Sequence, residues 1–200
     1  MRPLFSMAFV LFLSAALFAS PELNKPAPDF TLIDSKGKEH TLSEYQGKYV
    51  VLEWVNFGCP FVKKHYNSGH MQKLQALYTA KDVVWLSICS SAEGKQGYMG
   101  SNDEINDKLA EEGQKSTAYL IDSEGVVGKM YDAKTTPHMF VINKEGILVY
   151  DGAIDDTPST KLADIETADN YVIGVVDKLL AGKKVEAQRT KPYGCSVKYK

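Results

Sequence analysis

The spacing of apolar and polar positions changes several times along the chain, and each change marks an element. "DFTLID" (29–34) alternates with a period of two, as a half-buried strand does, and "DSKGKEH" after it reads as a turn around Gly37. "TLSEYQG" predicts one helical turn stopped at Gly47. "YVVLEWVN", Tyr49 to Asn56, is apolar at nearly every position and rich in β-branched residues, which predicts a central strand buried on both faces. "DVVWLSIC" predicts a second such strand, ending at Cys89. Between the two, "HMQKLQALYTA" sets Met71, Leu74, Leu77 and Tyr78 on one helical face, behind the breaker "NSG" at 67–69.

The second half continues in the same manner. "SNDEINDKLAEEG" reads as a helix with Ser101 and Glu104 as a capping box and Gly113 as its stop. "TAYLID" is a strand, "VVGKMYDA" a short helix, and "TTPHMFVIN" with "GILVYDGAI" a hairpin joined by "KEG". "ADNYVIGVVDKLLAG" is a last helix, with Tyr171, Val172, Val175, Leu179 and Leu180 as its apolar face and Gly182 as its end. Alternating strands and helices with a terminal hairpin predict an α/β domain, its mixed central sheet flanked by helices on both faces. The polar remainder, "KKVEAQRTKPYGCSVKYK", reads as a mobile or draped tail.

The first twenty residues break the pattern. "MRPLFSMAFVLFLSAALFAS" carries one cation, Arg2, then an apolar run from Leu4 to Leu17 ending in small residues. That is the make-up of a secretory signal peptide, and the run falls short of the about 20 residues that a membrane span needs. The expected organisation is a signal peptide at 1–19, one domain at 20–185 and a cysteine-bearing tail at 186–200. The mature protein is expected to be exported, periplasmic or extracellular, with no stable membrane association after cleavage. With 44% hydrophobic residues, 24% charged and a net charge of −2, nothing in the composition argues for nucleic acid or an anionic surface as partner.

Export gives the three cysteines, Cys59, Cys89 and Cys195, an oxidising setting, and their odd number leaves one thiol over from any internal pairing. Cys59 stands between a strand end and Pro60, so it is the expected N-cap of a helix. Helix amides and dipole favour an anion there, and Lys63 and Lys64 add positive potential, so the thiol pKa is expected to fall. Glu53, six positions earlier, is a carboxylate in an apolar strand, which requires partners or a retained proton. Pro137 begins a strand, and a cis bond there would turn the chain toward Cys59; His138 follows as a candidate to tune the thiol or bind a metal.

The stretches "PAPDFTLIDSKGKEHTLSEYQGKYVVLEWVNFGCPFV" and "TTPHMFVINKEGILVYDGAID", with the helices around them, resemble the thioredoxin-fold redoxin superfamily over residues 26–182. The resemblance implies a thioredoxin-like fold, redox activity at Cys59, a buried proton carrier at Glu53 and a cis Pro137 preceded by Thr136. It also implies that Pro60, Phe61, Thr136 and Pro137 contact the substrate. Two departures stand out. Val62 occupies the second cysteine position of a C-x-x-C pair, and Asn56 replaces the hydroxyl residue of a peroxidase motif, with arginine only at Arg2 and Arg189.

A redox Cys59 needs a resolving thiol. Cys89, at the end of the neighbouring strand, is one candidate. Cys195, in "PYGCS" thirteen residues beyond Gly182, is the favoured one, since the resemblance permits a resolving cysteine on a C-terminal arm. The expected activity is a cofactor-independent thiol–disulfide oxidoreductase. It acts on a protein or small-molecule thiol or disulfide and is recharged by a separate thiol reductant. A peroxiredoxin-like peroxidase and a metal-binding or assembly protein using Cys59 and His138, with Cys89 as a further ligand, are the alternatives.

Overall fold

The computed structural model describes residues 20–200, so the expected signal peptide at 1–19 lies outside the described residues. No helix among the described residues is long and apolar enough to cross a membrane. Ten strands are present among the described residues: β1 (Thr31–Asp34), β2 (Glu39–Thr41), β3 (Val50–Trp54), β4 (Val84–Cys89), β5 (Ala118–Ile121), β6 (Thr135–Thr136), β7 (His138–Ile142), β8 (Leu148–Gly152), β9 (Gln188–Arg189) and β10 (Cys195–Ser196). The helices are α1 (Pro60–Asn67), α2 (His70–Thr79), α3 (Asn102–Glu111), α4 (Val126–Met130) and α5 (Tyr171–Leu180).

Eight strands form one sheet in the order β2-β1-β5-β4-β3-β7-β8-β9. Its centre, β3 beside β4 beside β5, is parallel, while β7 and β8 run antiparallel to form the hairpin. The sheet is therefore mixed, as the element order predicts. All positions of β3 and β4 are buried because both faces are covered. Val51, Trp85 and Val141 pack with Met71, Tyr78 and Val175 on one face. Leu52, Trp54, Leu86 and Phe140 pack with Val127 and Tyr131 on the other.

Glu53 sits on the α1/α2 face of β3, fully buried. Its Oε1 accepts from the Tyr66 hydroxyl at 3.0 Å, and its Oε2 accepts from Trp85 Nε1 at 2.8 Å, Gln75 Nε2 at 3.0 Å and Ser87 Oγ at 3.0 Å. Burial pushes the carboxyl pKa up, and these donors offset part of the rise. The hub also corrects the reading of α2. Leu77, expected on the buried face, is 46% exposed, and Gln75 is buried instead. A buried glutamine defeats a hydrophobicity pattern, but here its amide meets a buried carboxyl.

Several helix ends follow their signals closely. Gly69 takes a positive φ and starts α2. Ser101 Oγ accepts from the Glu104 amide at 3.2 Å, but the Glu104 carboxylate accepts from Gly100 N at 2.8 Å, one residue before the N-cap. On α5, Val176 joins the buried face, while Tyr171 and Leu180 are half-buried.

The C-terminal segment is laid against the body of the domain. β9 runs parallel to β8 at the sheet edge, and β10 pairs antiparallel with β6 as a separate two-stranded sheet. Val197 is buried, and its amide donates to Lys134 O at 3.1 Å. Tyr199 rests over Gly128, where a Cβ would meet its hydroxyl.

These contacts set a prediction for Glu53. Glu53→Leu strands four donors and should cost on the order of 4 kcal/mol in chemical denaturation. Glu53→Gln should cost less, because its amide oxygen keeps two acceptor sites for Trp85, Ser87 and Gln75, Gln75 can also donate to Tyr66, and the amide nitrogen can donate to the rotatable Tyr66 hydroxyl. The folded state holds a proton that an unfolded glutamate releases near 4.5. Wild-type stability relative to Glu53→Gln should therefore be greatest below that pH and decline as pH rises through the folded value.

Candidate active site

The loop before α1 is built by Asn56. Its buried side chain accepts from Gly58 N at 2.8 Å and donates to Gln96 O at 2.9 Å, while Cys59 N donates to Asn56 O at 2.9 Å. This turn delivers Cys59 as the N-cap of α1 in extended conformation, with Pro60 at the first helical position. The thiol is 0% exposed. Its Sγ donates to the carbonyl oxygen of Thr136 at 3.0 Å, and the Thr136–Pro137 bond is cis.

Cys195 arrives from the other side. It stands opposite Thr136 in the β6/β10 ladder, the residue whose carbonyl accepts from Cys59, so the two thiols are neighbours that perturb one another. The contact leaves the two sulfurs unequal. Burial pushes the Cys59 thiol up, but the Cys195 thiol, the Thr136 hydroxyl and the first-turn amide of Val62 outweigh it, and the pKa lies below the ordinary thiol value. Cys195 is pushed up to about 11, by burial first, then by its hydrogen bond to Cys59 and the charge there. The Thr136 Oγ1 atom is buried with no hydrogen-bond partner, so it is free to serve a thiolate.

Gly194 makes this approach possible. Its φ is +135°, and a Cβ there would collide with Thr136 O. Tyr193 packs edge-on against Phe61 with ring centroids 5.7 Å apart, and its hydroxyl donates to Asp155. Phe61 and Pro60 thus border the thiol pair at the protein surface.

The remaining candidates are placed elsewhere. Lys64, expected to add free positive charge, is buried, with Nζ 3.5 Å from Asp155 Oδ2 and donating to Thr157 O at 3.1 Å. His65 beside it is pushed down to about 3, by burial and then by the neighbouring His70 and Lys64, so it stays neutral. Asp155, the acceptor that joins α1 to the tail, lies in "AIDD", where an acidic pair reads as solvated loop; no sequence signal marks it. Neither oxygen of Glu53 bonds to a cysteine; the link to α1 runs through Tyr66.

His138 faces away from the thiols. Its Nε2 pairs with Asp151 Oδ1 at 2.8 Å and its Nδ1 accepts from Lys134 N at 3.2 Å. Asp151 also accepts from Arg189 Nε at 2.7 Å. With both ring nitrogens engaged, His138 neither tunes Cys59 nor joins it as a ligand, and no three His, Cys, Asp or Glu side chains converge on a metal position among the described residues. Cys89 is buried, with its thiol directed at Gly97 O at 3.5 Å. A groove of about 730 Å³ runs past Phe57, Gly58, Lys63 and Met99, but Cys59 does not line it.

The Redoxin family model matches residues 22–170, three quarters of the chain. The chain belongs to the Redoxin family. A thiol-disulfide oxidoreductase, ResA, of Geobacillus kaustophilus is 30% identical over 120 residues, covering 60% of this chain and 63% of that protein. ResA of Geobacillus thermodenitrificans is 29% identical over the same shares. The chain thus spans less than two thirds of the length of these curated relatives. A hypothetical protein of Sinorhizobium meliloti superposes with a TM-score of 0.72 at 25% identity, over 91% of this chain and 97% of its own. An uncharacterized conserved protein of Geobacillus kaustophilus gives 0.72 at 27% identity, over 92% and 94%. The expected thioredoxin-like fold is shown by this set. The redoxin match ends at residue 170, so the arm that carries Cys195 lies beyond it.

The unequal thiols are measurable. In the reduced protein, thiolate absorbance should show Cys59 titrating below the ordinary thiol value near 9. Cys195→Ala removes the strongest donor to Cys59 and should move that titration upward, toward the ordinary value.

Proposed function

We propose that this chain is an exported thiol–disulfide oxidoreductase in which Cys59 is the attacking thiolate and Cys195 the resolving thiol. The observation that carries the reading is the convergence of both cysteines on Thr136, Cys195 by strand pairing and Cys59 by its hydrogen bond to the carbonyl, with Cys59 lowered and Cys195 raised. A thiolate is the nucleophile in exchange, so the lowered member attacks first. Cys59 opens a substrate disulfide, forming a mixed disulfide and releasing one substrate thiolate. Cys195, losing its proton, then attacks the Cys59 sulfur. The Cys59–Cys195 bond forms, and the second substrate thiol leaves. A separate thiol reductant restores the pair.

The surrounding residues take supporting parts. Thr136 donates to the thiolate and, with Pro137, Pro60 and Phe61, forms the surface that meets the substrate. Glu53 fixes α1 through Tyr66, and its raised pKa lets it hold a proton beside the helix that Cys59 caps. The names of the ResA relatives agree with exchange chemistry. A peroxidase reading has less support, since Arg189 is bound to Asp151 and to Pro21 O, distant from the thiol pair.

Peptide mapping of the oxidised, non-reduced protein should return a Cys59–Cys195 link with Cys89 free. Cys59→Ser should abolish exchange with a model disulfide. Cys195→Ser should stop at a mixed disulfide on Cys59 and lose turnover by about 10²-fold or more, since an intramolecular thiol supplies a high effective concentration. A Cys89–Cys195 link, or peroxide consumption that depends on Cys59 and outpaces exchange, would replace this reading.

A further inference from the structure

The arm that supplies Cys195 also closes the site it serves. Cys59 is fully buried, and its sulfur faces Thr136 O and Cys195. The position of Cys195 is therefore the one from which an external disulfide would meet that sulfur in line with Thr136. The same holds for the backbone: β6 pairs with β10 in its two-stranded sheet, so β10 occupies the edge beside Cys59 that an incoming chain would use. Exchange with an outside partner thus requires the arm to leave and then return with its thiol.

The arm is suited to leaving. Lys191, Ser196 and Lys200 are exposed, and Val197 is its one buried side chain beyond Thr190. Segments with few buried apolar contacts lie at the low-stability end of a fold. The seat, by contrast, is demanding. It takes a cysteine opposite Thr136 and a residue before it with no Cβ, because that position abuts Thr136 O. It takes an aromatic ring on Phe61 two residues before the cysteine, and a buried aliphatic side chain two residues after it.

Resting on the exchange reading above, we propose that residues 190–200 are a resident competitor on a peptide-binding edge. The displacing partner is an extended polypeptide that brings its disulfide to the position of Cys195 and carries glycine immediately before that cysteine. The arm's own "YGCSV" is the template of the accepted sequence.

The test uses full-length chains and a chemically inert probe. A labelled peptide KPYGSSVKY copies residues 191–199 with serine in place of the cysteine. Its affinity is compared for Cys195→Ser and for Cys195→Ser combined with Val197→Asp, which puts a charge into the arm's buried anchor. Tyr193→Ala in the same background is the second unseating variant. Hydrogen exchange identifies the variant whose Val197 amide opens while β3 and β4 stay protected. The unseated variant should bind the peptide at least roughly tenfold more tightly than Cys195→Ser alone. Alanine for the glycine before the serine should weaken binding by roughly tenfold or more, about 1.4 kcal/mol. Equal affinity for seated and unseated chains, no binding to either, or full tolerance of alanine overturns the proposal. The probe has no thiol, so absent exchange activity with intact, glycine-dependent binding would instead count against the exchange reading.

Discussion

The pairing of Cys195 with Thr136 is the contact on which the proposed exchange chemistry rests. It brings a segment from the far end of the sequence against the residue preceding Pro137, on the side where Cys59 caps α1. Without it, Cys59 is a lone thiol at a helix N-terminus, since Val62 stands where a local partner would be. With it, Cys59 has a hydrogen-bond donor, a second sulfur and a cover. In the proposed exchange, one pairing therefore sets reactivity, partner and access together. The absence of a Cβ at Gly194 permits it sterically.

A second constraint holds the platform still. Glu53 collects donors from β4, α1 and α2, so the helix that Cys59 caps is tied to the sheet by a buried carboxyl rather than by apolar packing alone. Such a network is costly when incomplete and specific when complete. On the other side of α1, Lys64, Asp155 and Tyr193 link that helix to the arm. The thiol pair lies between these two anchored groups, and a charge expected to tune Cys59 is spent on docking the segment that carries Cys195.

The main elements were legible because their signals are local. β3 and β4 announce themselves as continuous apolar runs, and Ser101, Gly113 and Gly182 mark helix ends by backbone chemistry that does not depend on distant residues. β2, β9 and β10 escaped detection: at two or three residues they carry no periodicity, and they exist because a partner strand is already there. Leu77 and Gln75 exchanged places for a related reason. Helical periodicity counts hydrophobicity, whereas the position facing Glu53 rewards a hydrogen-bond donor.

At the site, the chain's own residues marked Cys59 as a helix N-cap with Pro60 behind it, Glu53 as a carboxyl that needs partners or a proton, and a cysteine on an arm long enough to reach across the domain. Those follow from neighbours in the chain and from the cost of burying charge. Folding in three dimensions settled that His138 belongs to Asp151, that Cys89 points to Gly97, that Lys64 pairs with Asp155 and that Cys195 and Cys59 converge on Thr136. Each of these is a choice among partners distant in sequence. Burial and close approach select among such partners in space, and a one-dimensional pattern carries no record of them.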